Sequence, residues 1–286
     1  MQTVSAAPKG VVHPHLASRH FRLARYQPEG RLKEVLDHFW IVEWNLRNQP
    51  PFTQRTLPYP CVNLVFDHGK TALFGVVSGA FDYTLQGQGK VLGLRFRPGG
   101  FYPLLRRPLR DMTDQVVAME TLFEVESAAL ETQILKQTDD ASMIALAERF
   151  LLPYLPPADP VVDTINGWLQ MVQDQTEITR VEQWAEQTGL ARRTLQQLFA
   201  DYVGVSPKWV LARYRLHDLA HQLATGQQTD LAALAVHLGY FDQAHLSRDF
   251  KKFIGQSPAA YYADQERRRN EHHQHATQAA TPTGGR

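Results

Sequence analysis

The 286-residue sequence predicts an α+β protein, in which a small β-rich N-terminal domain with helices precedes an all-helical C-terminal domain. Three observations predict it. Short apolar runs broken by Gly and Pro fill residues 21–108, whereas from Asp111 onward apolar residues recur at helical spacing. Between Val181 and Pro258 one glycine-centred pattern then occurs twice.

Taken in order, residues 1–20 contain Pro8, Gly10 and Pro14 without periodicity and read as an N-terminal arm. Residues 21–152 form the β-rich domain, expected to sense a ligand or to dimerise. Phe39–Val42, Cys61–Asp67, Leu73–Val77 and Val91–Arg97 fit strands of a small sandwich or barrel, with breaks at Gln49-Pro50-Pro51, Asp67-His68-Gly69 and Gly87-Gln88-Gly89. Val116, Met119, Leu122 and Phe123 suggest one helical stripe, and Met143, Ile144, Ala147, Phe150 and Leu151 a second. Prolines 153, 156, 157 and 160 interrupt both kinds of structure, so residues 153–160 read as a linker.

Residues 161–266 read as wholly helical. The first copy of the repeat runs Val181, Trp184, Ala185, Gly189, Leu195, Phe199, Val203, Gly204, Ser206, Pro207. The second runs Leu231, Leu234, Ala235, Gly239, Leu246, Phe250, Ile254, Gly255, Ser257, Pro258, offset by 50 residues before the turn glycine and 51 after it. Such a unit has the form of a helix-turn-helix. Thr179 and Glu182 fit a capping box, and both Ser-Pro pairs fit a cap followed by proline at the first helical position. A long helix from Pro207 joins the two units.

In the first unit Leu195, Leu198, Phe199 and Tyr202 face inward, leaving Arg192, Arg193, Gln196 and Gln197 outward. In the second, Leu246, Phe250 and Phe253 face inward, and Gln243, Ala244, His245, Ser247, Arg248 and Lys251 outward, with Asp242 as the N-cap. Arg and Gln make paired hydrogen bonds to guanine and adenine in the major groove. A net charge of +1 requires the basic residues to cluster, and Arg192, Arg193, Lys208, Arg213, Arg215, Arg248, Lys251 and Lys252 do so.

Residues 161–266, above all Asp242–Tyr261, resemble the DNA-binding domain of the AraC/XylS transcriptional regulators. The resemblance implies two recognition helices in successive major grooves of double-stranded DNA, with Arg192, Arg193, Gln196 and Gln197 reading one segment and Gln243, Ala244, His245 and Arg248 the other. It also implies RNA polymerase as a partner. Gln197 and Ala191 depart from the family pattern, which often has Arg and a Ser or Thr cap there. More loosely, residues 38–123 resemble a domain fused in front of such regulators, on Pro60-Cys61 and the run Gly93–Gly100. In the wider family the N-terminal domain, often a cupin-like barrel, binds a small-molecule effector or makes a homodimer.

Arg95 and Arg97 fall on one strand face, suited to clamp an anionic ligand, and Trp40 and Phe66 stand among the aromatics that would line its pocket. No catalytic constellation, metal or cofactor is expected. His13-Pro14-His15 lacks the glutamate of a cupin metal site, and His272, His273 and His275 in the tail, residues 267–286, lack carboxylate or cysteine support. Cys61 alone cannot supply the several cysteines of the DNA-repair methyl-acceptor that also carries this DNA-binding domain, and nothing supports a cupin-like enzyme. A lone cysteine and the absence of any apolar run near 20 residues fit a cytoplasmic protein and give no membrane partner.

Overall fold

The structure, a computed structural model, describes residues 2–3, 17–226 and 230–267. The arm and tail with their histidines lie almost wholly outside them. Eight strands form the N-terminal part: β1 (Phe21–Tyr26), β2 (Leu36–Leu46), β3 (Phe52–Thr56), β4 (Asn63–Phe66), β5 (Ala72–Phe74), β6 (Phe81–Leu85), β7 (Gly87–Phe96) and β8 (Val116–Val117). Six make an antiparallel sheet in the order β1-β2-β7-β4-β5-β8, while β3 and β6 pair separately.

Strand alternation gives the large sheet two different faces. Phe39, Ile41, Leu64, Phe66, Leu92, Leu94 and Phe96 point to a core shared with α2 (Ser127–Leu135) and α3 (Asp140–Leu151). Each such fully buried side chain contributes about 1.5–3 kcal/mol relative to exposure. Polar clasps fix these helices to the sheet. Arg22 donates to both Asp140 oxygens at 2.7 Å, and Glu131 accepts from Gly69 N–H at 3.0 Å and Thr71 Oγ1 at 2.8 Å.

Three local expectations change. Gly87–Gly89 does not interrupt the chain but begins β7, because Gln86 alone connects it to β6. A Cβ on Gly89 would lie 2.3 Å from the Trp44 ring, and one on Gly93 would lie 2.0 Å from the Trp40 ring, so both glycines are bare floor beneath indoles. Val116–Phe123 is not a helix. Val116 and Val117 pair with β5, and a 3-10 turn at Met119–Thr121 then sends Met119 and Phe123 into the core, which satisfies the same apolar spacing.

The helical region comprises α4 (Pro160–Asp174), α5 (Val181–Thr188), α6 (Arg192–Tyr202), α7 (Pro207–Thr225), α8 (Leu231–His237), α9 (Gln243–Ile254) and α10 (residues 258–267). A one-turn helix, α1 (Tyr102–Leu105), precedes α2. The chain divides into two compact units, 1–212 and 213–286, so the division falls within α7 rather than at the proline-rich segment 153–160. The reason is direct bonding of α4 and α6 to the β-rich part. Arg97 pairs with Asp163 at 2.8 Å, Asn166 donates to Pro98 O at 2.9 Å, and Tyr102 stacks on Tyr202 with centroids 3.9 Å apart.

Candidate nucleic-acid interface and ligand cavity

In the first helix-turn-helix, α5 starts where Gln183 Oε1 accepts from the N–H groups of Arg180 and Thr179, at 2.9 and 3.0 Å. Gln183 therefore closes the capping box in place of Glu182. Glu182 instead pairs with Arg192 at 2.8 Å. Gly189, with φ of 69°, permits the left-handed turn that ends α5. Trp184 and Phe199 then meet edge to face, 4.9 Å apart. Ala191 provides no side-chain cap for α6.

Arg192, Arg193 and Gln197 are exposed on α6 and Gln196 is half-buried. The C-terminal end of this helix is held from the β-rich part. Arg110 donates to Asp201 at 2.6 Å, Gln197 donates to the other Asp201 oxygen at 2.8 Å, and Thr113 Oγ1 donates to Gly204 O at 2.5 Å. Gln197 is thus engaged with its own helix. Tyr202 donates to Asp159 at 3.0 Å, and its burial, followed by that bond, pushes the phenol up to about 12.

In the second unit Asp230 caps α8 by accepting from Ala232 and Ala233 N–H. Leu190 and Tyr240 occupy equivalent places, since each N–H donates to the fifth residue back, Ala185 O and Ala235 O. The residue added in the second turn is therefore Phe241, which is 90% exposed. Asp242 then caps α9 by accepting from His245 N–H at 2.7 Å. Gln243, Ala244, His245, Arg248 and Lys251 are exposed along α9, and Ser247 is half-buried. Both Ser-Pro starts carry the expected cap, with Ser206 Oγ accepting from Trp209 N–H and Ser257 Oγ from Ala260 N–H.

One part of the basic cluster is not available to phosphate. Arg213 is 1% exposed, its guanidinium lies 4.2 Å from the Phe253 ring centroid, and burial pulls its pKa down to about 10. Arg215 is half-buried and shifted the same way, first by burial. The long helix spends these two cations on packing.

On the face of the large sheet opposite the helical core, a cavity of ≈ 280 Å³ lies beneath β3 and β6. Trp40, Trp44, Tyr59, Phe74, Phe81 and Tyr83 supply its aromatic lining, and Arg25, His38 and Arg95 its cationic residue types. Strand pairing sets His38, Arg95 and Asn63 in one row across β2, β7 and β4, with Arg25 and Trp40 in the next. Of the four ligand-binding candidates, Arg95 and Trp40 line the cavity. Phe66 and Arg97 do not. Phe66 points to the opposite, helical face, and Arg97 lies just past the end of β7, paired with Asp163. Arg25 was hidden from sequence reasoning because β1 was not recognised, although Phe21, Leu23 and Arg25 alternate as a strand face should.

Arg95 Nε lies 3.3 Å from Asp37 Oδ2 and its guanidinium stacks on Tyr59 at 4.4 Å. Asp37 is held below its ordinary value: burial alone would raise it, but the hydrogen bond to His38 and the charge of Arg95 outweigh that. Burial lowers the pKa of His38, which favours the neutral ring. Cys61 is 4% exposed and burial pushes its thiol up despite Arg95, the opposite of what a methyl-accepting nucleophile needs. No group of three or more residues able to hold a metal occurs among the described residues.

Residues 24–118 match a domain of unknown function (DUF6597), and residues 184–264 match a helix-turn-helix domain family. An uncharacterized HTH-type transcriptional regulator of Haemophilus influenzae is 26% identical over 160 residues, covering 56% of this chain and 51% of that one. A putative AraC-like transcription regulator of Streptomyces lividans is 36% identical over 104 residues, covering 36% and 33%. The chain thus spans about half or less of the length of these curated relatives. ToxT from Vibrio cholerae aligns over 85% of this chain and 97% of its own at 11% identity and a TM-score of 0.35, a likeness too slight to argue from.

Proposed function

Through its C-terminal region this chain belongs to the AraC/XylS family of transcriptional regulators, and on that premise we propose that it reads two successive major-groove segments with unlike recognition helices, under control of a small molecule held in its β-rich domain. The observation that carries the reading is α9. There an aspartate cap fixes the helix start while Gln243, Ala244, His245, Arg248 and Lys251 stay exposed together. Arg248 and His245 are the base-reading candidates of this helix, and Arg193 and Gln196 those of α6. Lys251, Lys252 and Lys208 supply phosphate contacts. Phe241 extends the same surface from the turn, suited to an apolar contact with a sugar or a thymine methyl group.

Double-stranded DNA is the primary partner. RNA polymerase and a second copy of the chain follow from the family reading. No step of this function requires catalysis. Selection of bound sequences from a random DNA pool by the full chain tests it. Recovery of an asymmetric site with two conserved segments about 10 bp apart is the expected result, and binding without sequence preference would overturn it. Phe241→Ala should weaken the selected site while leaving thermal unfolding unchanged, which separates a DNA contact from a packing role.

A further inference from the structure

The β-rich cavity has unlike ends, and its chemistry names a ligand class. One end holds Arg95, almost wholly enclosed, with Arg25 in the neighbouring row and Asp37 as the nearby carboxylate. Arg95 Nε makes no aligned hydrogen bond there. A cation held away from water is costly unless an anion and hydrogen-bond acceptors meet it. Two guanidinium groups facing one carboxylate leave one positive charge to be met. About two residues along β4 from Val65 the polarity reverses at Asp67, which already accepts from Tyr83 OH at 2.5 Å. A second negative charge would therefore be repelled at that end. Between the ends the walls are apolar, including Leu23, Val42, Val91 and Phe81.

We propose that this cavity binds an apolar monocarboxylate, its carboxylate on Arg95 with Arg25 beside it and its chain between Trp40, Trp44 and Phe81. A volume of ≈ 280 Å³ suits on the order of ten non-hydrogen atoms, taking about 30 Å³ for each as for a water. The assignment rests on the effector reading of this domain and gives it a chemical class. A route to the DNA-binding part is present. Gly75 and Val77 line the cavity, and the next residue, Ser78, accepts from Trp209 Nε1 of α7 at 2.9 Å and donates to Asp114 at 2.7 Å.

The test uses the full chain with octanoate and 4-phenylbutyrate as probes, and octanamide and octanedioate as controls. Binding is followed by calorimetry and by tryptophan fluorescence. Both monocarboxylates should bind saturably, and the amide and the diacid about tenfold or more weaker, as expected for loss of a hydrogen bond to a charged group. Arg95→Gln should erase the preference for acid over amide while unfolding stays cooperative. Equal binding of acid and amide, no saturable binding of either acid, or retained preference in a folded R95Q protein each overturns the assignment. Should R95Q not fold, the acid, amide and diacid comparison on the native chain decides alone. If octanoate binds with the expected pattern yet leaves affinity for the selected DNA unchanged, effector control fails and the cavity assignment stands. If a different compound shifts DNA affinity while no monocarboxylate binds, effector control stands and the assignment fails.

Discussion

The two helix-turn-helix units share a scaffold and differ in what holds the recognition helix. In the first, α6 has no side-chain cap at its start and is secured at its end, where Asp201, Tyr202 and Gly204 bond to the β-rich part. In the second, α9 is secured at its start by Asp242 and carries the extra exposed Phe241. A repeated sequence pattern thus yields one helix positioned by its platform and one positioned by its own turn. Only the former is wired to the cavity-bearing domain.

The largest expected break in this comparison comes from Gly204→Val. Gly204 has φ of 86°, and a Cβ there would meet Leu109 O and Thr113 Oγ1, each at 3.1 Å. Backbone strain and forced displacement together should cost about 3 kcal/mol in thermal or urea unfolding. The counterpart Gly255→Val, at φ of 96°, adds the strain alone, about 1–2 kcal/mol. Similar losses from both would show that docking at Gly204 adds nothing.

Next in size, Arg248→Ala should weaken the selected DNA site by about 1–3 kcal/mol and relax preference at one base, as should Arg193→Ala at the other segment. Competition against random DNA checks this, since equal losses on both would reduce either arginine to a phosphate contact. Acid should loosen the platform of the first unit. Asp140 is held low first by the bond from Arg22, and burial opposes it. Glu131 would be raised by burial but is held low by Gly69, Thr71 and His68. Folded values below the ordinary carboxylate range mean stability is full above about pH 5 and is lost as pH falls through the folded values, by about 1 kcal/mol for each group. A pH series of melting temperatures should show Asp140→Asn flattening that decline. The smallest effect is a gain, because Ala191→Ser supplies the missing cap and should add about 0.5–1 kcal/mol, whereas Asp242→Ala should lose a similar amount.

The helical half was legible because its signals are local. Caps at Asp242, Ser206 and Ser257, turn glycines and apolar spacing each depend on residues within about one turn. The errors share the opposite cause. Glu182 and Gln183 are one residue apart, and only the partner Arg192, ten residues onward, settles which one caps. Arg213 looked like a surface cation until Phe253 was found beneath it. In the β-rich half, β1, β3 and β6 carry no strong apolar run, so the row joining Arg25 to Trp40 and Gly93 could come only from strand pairing. Phe66 and Arg97 were misplaced relative to the cavity for the same reason. Which face of a strand is interior depends on what covers it, and here both faces are covered.

Gly89 and Gly93 give the cavity an optical property. Each indole lies with one face against bare main chain, and its edge is pinned by a hydrogen bond, from Trp40 Nε1 to Asn63 Oδ1 at 3.2 Å and from Trp44 Nε1 to Gln86 O at 3.1 Å. With one face occupied and the ring unable to swing, only the cavity-facing side of each chromophore can change its surroundings. The molecule thereby contains two fixed-orientation fluorophores whose emission tracks what fills a single small space.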